Sequence, residues 1–198
     1  MKKQRKIPAA VKIIAITLAV LVVCAAGAWL YVFAGCQSAA RVLSAPAAYT
    51  PVKFRVFGSG ASSISAHFTL YDALGTEIAA VERSWNDNSL AFDFIAVRFG
   101  EDVIMFPYKI RGGNAESAAS GVDLIRYYEQ DGSCLMYGAL ETEEQRALDT
   151  LFWYAAHIVP RFPSKHGAVV SLELRNCRTG LEYHIISRSN GSVMLGTE

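Results

Sequence analysis

Twenty-three consecutive residues, Ile13 to Gly35, carry no charged side chain, and five cations (Lys2, Lys3, Arg5, Lys6 and Lys12) precede them without an anion. A helix rises about 1.5 Å per residue and the apolar core of a bilayer is roughly 30 Å thick, so a run of this length can span it. A soluble protein would have to bury such a helix on every side. Cations favour the cytoplasmic side, which predicts an N-in, C-out chain with everything after Cys36 outside the cytoplasm. Trp29 and Tyr31 fall toward the outer end, where amphipathic rings favour the interface.

Three fates of this run compete. A secretory core is about 7–15 apolar residues, so the run is long for a cleaved signal and reads first as an uncleaved single-pass anchor. Phe33-Ala34-Gly35-Cys36, however, resembles the lipobox of bacterial lipoproteins, with Phe33 in place of the usual aliphatic residue. That resemblance implies cleavage before Cys36, which would then carry the lipid and become the mature N-terminus. Cleavage after Ala26-Gly27-Ala28, a small-residue site, would leave an apolar new terminus. The organisation that follows is a cytoplasmic head over 1–12, an anchor or lipoprotein signal over 13–35, a tether over 36–52 and a β-rich domain over 53–198. The tether reading rests on Ala45-Pro-Ala-Ala-Tyr-Thr-Pro51, because residues before proline favour extended backbone.

Beyond the anchor, about 160 residues suffice for one domain with a real core. All 18 acidic residues lie after Cys36, against 14 of the 19 basic ones, a net of −4 with histidines neutral. A mildly acidic domain has no electrostatic footprint for nucleic acid. Of the four cysteines, Cys24 lies in the apolar run and Cys36 is the lipidation candidate. Cys134 and Cys177 remain as the candidate disulfide, which an oxidising compartment would permit. No Cys/His spacing suggests zinc, and the reading includes no metal and no cofactor.

Alternation and turn residues then mark strand after strand. The segments are Lys53–Phe57, a run from Ile64, Thr76–Trp85, Leu90–Phe99, Val103–Ile110, Leu124–Glu129, Ser133–Tyr137, Ala168–Arg175, Leu181–Arg188 and Val193–Leu195. Leu90–Phe99 is apolar on both faces apart from Asp93, which predicts a central strand covered on both sides. One helix is expected over 142–159. Thr142 followed by Glu143, Glu144 and Gln145 reads as its capping box, Leu148, Leu151, Phe152 and Ala155 form an apolar stripe, and Pro160 stops it. The fold class is therefore α+β and mainly antiparallel: a curved sheet or partly open barrel of about ten strands packed on one helix.

No phosphate-binding glycine loop, nucleophile elbow or zinc helix motif is present, and the catalytic residues are unknown. Asn86-Asp-Asn88 lacks the length and distal Glu of a calcium loop and reads as a turn. Asp93, with Arg98 or Arg83 as its mate, reads as an ion pair before an active-site acid. His67 and His184 fall opposite the apolar face of their strands, His157 caps a helix end, and Ser164-Lys-His166 sits on a loop. The expected function is that of a membrane-tethered, non-catalytic binding protein of the bacterial cell envelope, held by 13–35 or by lipid on Cys36 and meeting an envelope protein. Two alternatives differ. A sheet and helical lid enclosing an apolar ligand or lipid would be similar in architecture to carriers that ferry lipoproteins across the periplasm, and an envelope hydrolase would use Asp93 or a histidine.

Overall fold

The computed structural model describes residues 9–114, 121–175 and 177–197. The chain divides between Gly35 and Cys36 into two compact units. Helix α1 spans Ala9–Val42, and its apolar side chains from Ile13 to Tyr31 lie open, Leu21 at 61% and Tyr31 at 82% exposure. The segment expected to begin a tether is thus helical to Val42. Its alanines favour helix, the next proline is Pro46, and Arg41 complements the negative helix end. Cys36, Ala39 and Leu43 form a buried stripe, at 0%, 6% and 6% exposure, so the first residues of the second unit are core residues rather than a spacer.

Eleven strands and a second helix follow among the described residues, without a closed barrel. The larger sheet contains β1 (Ala48–Ser59), β2 (Ile64–Tyr71), β3 (Glu77–Trp85), β10 (Glu182–Arg188) and β11 (Val193–Thr197), in the order β11-β10-β1-β2-β3. The smaller contains β4 (Leu90–Val97), β5 (Ile104–Gly112), β6 (Val122–Asp123) and β9 (Gly167–Leu174), in the order β6-β5-β4-β9. Every pairing is antiparallel. Two prolines sit inside interior strands, Pro51 in β1 and Pro107 in β5, and each lies at a register shift. At the first, Pro51 falls outside the register, where a residue without an N–H can be tolerated; at the second, Tyr108 is the residue left out and Pro107 stays opposite Phe94. The first shift explains why β1 starts at Ala48, ahead of the expected boundary at Lys53.

The two sheets face each other through aromatic rings. Phe92 of β4 lies 5.4 Å from Phe54 of β1 and 5.5 Å from Phe68 of β2, centroid to centroid. Strand β4 is buried on both faces, as its pattern predicts. One face meets the larger sheet. On the other side of the smaller sheet lies α2 (Thr142–His157), with Phe152 against Phe106 of β5 at 5.7 Å. The cap of α2 lies one residue earlier than its sequence suggests. Glu141, not Thr142, is the N-cap, and its side chain and that of Glu144 cap each other's backbone N–H groups. The carboxylate can accept the same bond as a hydroxyl and adds negative charge at the positive helix end.

The expected strand Leu124–Glu129 is instead a 3-10 turn, Ile125–Tyr128, followed by the short hairpin β7 (Glu129–Gln130) and β8 (Ser133–Cys134). Its buried residues, Ile125 and Tyr128, are three apart, the spacing that eclipses side chains on a 3-10 helix. Asp131 and Gly132 both take positive φ, 52° and 81°, as a primed hairpin turn requires. Tyr128 then donates its hydroxyl to the carbonyls of Pro51 (2.8 Å) and Tyr71 (3.2 Å), satisfying the backbone at the first bulge. Burial raises the Tyr128 hydroxyl well above the ordinary tyrosine value.

Candidate functional site

Asp93 lies on the helix-side face of β4, and its partner is neither Arg98 nor Arg83, both of which are exposed. Arg111 of β5 donates Nε to one carboxylate oxygen at 2.8 Å and Nη2 to the other at 3.3 Å. Ser171, directly opposite Asp93 on β9, donates its hydroxyl to the same group. In the ladder Asp93 stands opposite Lys109 and Arg111 opposite Ala91, so the ion pair is a diagonal one between neighbouring strands. The Asp93 hydrogen bond raises Arg111 further above its usual range. The arrangement is a satisfied ion pair. Its serine donates to a carboxylate that is itself held by a guanidinium, so the three side chains are engaged with one another.

The histidines do not gather around Asp93. His157 shares a hydrogen bond with the Trp153 carbonyl one turn back (3.0 Å). His166 does so with the Arg98 carbonyl (3.0 Å), and its own backbone N–H donates to Ser164 Oγ (3.2 Å), so Ser164-Lys-His166 is a hydrogen-bonded turn. His67 and His184 lie on the outer face of the larger sheet, at the strand positions alternation gives them. Among the described residues no three His, Cys, Asp or Glu side chains assemble a metal site.

Asn86-Asp87-Asn88 folds as a turn. Asp87 is 2% exposed; its carboxylate accepts from Ser89 N–H and hydroxyl (3.3 Å each) and from Asn114 N–H (2.7 Å), tying the β3–β4 turn to the end of β5. Desolvation acts to raise its pKa, but the backbone N–H donors outweigh it and hold the carboxyl below the ordinary 3.8. A carboxylate depressed in the folded state contributes stability that is complete above its unfolded value and is lost as pH falls through the lower folded one. Acid unfolding below pH ~4 should therefore be shallower in Asp87→Asn, measured as the pH dependence of the thermal midpoint against the parent chain.

The cysteines separate. Cys134, the β8 residue, is 1% exposed, with its N–H donated to Asp149 of α2 (2.7 Å), and burial pushes its thiol up to about 12. Cys177 lies in the β9–β10 connection, where Gly180 donates its N–H to the Val56 carbonyl near the far end of β1. Both thiols are free, so the candidate disulfide is not made in this structure. Tyr49, at the near end of β1, is among the groups around Cys134, which places the two cysteines toward opposite ends of that strand. Cys36, the lipidation candidate, is a fully buried residue of α1.

A groove of about 350 Å³ opens on the outer face of the larger sheet, lined by Lys53, Arg55, Phe57, His67, Tyr71 and Glu182 together with Thr69. Val52, Phe54 and Val56 alternate inward into the core, so Lys53, Arg55 and Phe57 alternate outward. The register sets Lys53 opposite Thr69 and Arg55 opposite His67. These four side chains form a two-by-two block on successive outward-facing rungs. Thr69 Oγ1 and His67 Nε2 are 3.5 Å apart. Arg55 reaches Glu182 on one side (3.2 Å) and His67 reaches Glu82 on the other (3.9 Å). Lys53 stands 5.7 Å from the centre of the Tyr71 ring. Comparison with family models, curated proteins and solved structures returned no match.

Strands read one at a time do not reveal this block. Its signal is a pair of alternations, Lys53-x-Arg55 and His67-x-Thr69, on two strands joined by a short turn. Register, which the sequence leaves open, is what sets them side by side.

Proposed function

We propose that this chain is a single-pass envelope protein, N-terminus in the cytoplasm, that displays its β-rich domain outside the cytoplasm for binding rather than catalysis. Helix α1 carries the reading: Lys12–Val42 is long and apolar enough to span a membrane, its apolar window is unburied, and five cations stand at its head. Of the possible fates of this helix, the uncleaved anchor fits the burial pattern best. Cys36, Ala39 and Leu43 belong to the domain's core, and a lipid on Cys36 would require that thiol to leave it.

A binding role is supported by the open groove on the larger sheet, while Asp93, His157 and His166 are engaged by structural partners. The lipid-carrier alternative has less support. The space between the sheets is filled by Phe54, Phe68 and Phe92, and Leu148 and Leu151 under α2 are likewise fully buried.

The test is protease protection of a C-terminal tag in right-side-out vesicles, combined with intact mass of the purified membrane form. A protease-sensitive tag on a full-length chain is the expected result. A protected tag would overturn the topology, and a diacylated species beginning at Cys36 would overturn the uncleaved anchor.

A further inference from the structure

We propose that the block formed by Lys53, Arg55, His67 and Thr69 is a binding site for an oxyanion, a phosphate or carboxylate group carried on a small ligand. The inference rests on the binding role proposed above and names its ligand chemistry.

All four side chains carry hydrogen-bond donors: an ammonium, a guanidinium, an imidazole and a hydroxyl. They project from paired positions of β1 and β2 into one groove. Directly opposed side chains on an antiparallel pair lie about 4.5–5.5 Å apart at Cβ, so a single tetrahedral or planar oxyanion can reach several donors together. The ion pair to Glu182 uses one terminal nitrogen of Arg55, leaving further guanidinium N–H groups for a ligand. No carboxylate lies within ion-pair distance of Lys53 among the described residues.

The groove runs against the charge of the molecule. The segment after Cys36 is net acidic, yet two cations and a histidine meet here, with Glu182 in the lining and Glu82 at the margin beside His67. Charge-assisted hydrogen bonds to an oxyanion are the stronger class, and the open rim lets the ligand enter without a conformational change. Phe57, 52% exposed and next along the outer face of β1, offers an apolar surface beside the charged block. A ligand with its oxyanion attached to a ring can use both, whereas a bare ion can use only the donors.

The experiment uses the full-length chain in zwitterionic nanodiscs at fixed ionic strength. Inorganic phosphate, glucose 6-phosphate, glucuronate and uncharged glucose are titrated separately by calorimetry. Saturable binding of glucose 6-phosphate or glucuronate is expected with Kd on the order of 1 mM or below, and none for glucose. If the phosphate sugar binds, it should do so more tightly than inorganic phosphate, and Phe57→Ala should remove that advantage. Lys53→Gln should weaken binding at least tenfold, whereas Arg188→Gln, in the same sheet but outside the block, should leave it unchanged. These exposed substitutions are checked for an unaltered thermal midpoint. Equal weakening by Arg188→Gln, or no saturation by either anionic sugar, would overturn the site. That result would leave the topology reading standing, because protease protection requires no ligand.

Discussion

Arg111→Met should destabilise the domain by about 3–5 kcal/mol, the range seen when one partner of a buried ion pair is removed. Asp93 is 7% exposed, and its carboxylate is held by Arg111 on two nitrogens and by Ser171. Methionine preserves much of the arginine stem and leaves the carboxylate with one hydroxyl. The double variant Asp93→Leu, Arg111→Met removes both charges and should recover most of the loss, because apolar replacement of a whole buried pair is often neutral or stabilising. Denaturant unfolding of Arg111→Met, Asp93→Leu and the double variant in detergent completes a double-mutant cycle. If Arg111→Met and the double variant fall equally, packing and not charge governs the site.

Phe92→Ala should cost about 3–5 kcal/mol, enough to unfold a marginal domain. Phe92 is fully buried and contributes to two of the ring contacts that join the sheets. Local backbone shifts cannot fill the void, since Phe54 and Phe68 are fixed by their own strands. Phe92→Leu should cost markedly less, because it restores most of the lost volume. Thermal unfolding followed by near-ultraviolet circular dichroism measures both. An exposed apolar ring of the same size, Phe162 at 61% exposure, provides the reference substitution.

Much of the fold is legible because it depends on periodicities of two and 3.6. Leu90–Phe99 reads as a strand covered on both sides and 142–159 as its cover, since apolar residues occupy both faces of one and a stripe of the other; the structure sets them at Leu90–Val97 and Thr142–His157. What escapes such a reading depends on contacts distant in sequence. Pro51 looks like part of a tether because proline is excluded from regular ladders. Only a bulge, capped by the Tyr128 hydroxyl from 77 positions away, makes room for it inside β1. Arg111 is hidden as the mate of Asp93 because it comes from the neighbouring strand, on a diagonal that the β4–β5 register alone defines. Cys36 closes a four-residue resemblance to a processing motif in which Phe33 departs, yet its place on a buried stripe with Ala39 and Leu43 emerges only once the domain folds. The donor block on β1 and β2 requires the register of two strands.

The pairing of β1 with β10 has a consequence for the order of events during synthesis. Ala48 pairs in register with Arg188, so the first strand of the domain waits for one of the last. The β1–β2–β3 meander can form early from local contacts, but one edge of β1 then stays open until the C-terminal segment has left the ribosome. During that interval Val52, Phe54 and Val56 lack part of their enclosure. The nascent chain is most prone to sticking in this window, and a chaperone that shields an open strand edge would act on it there.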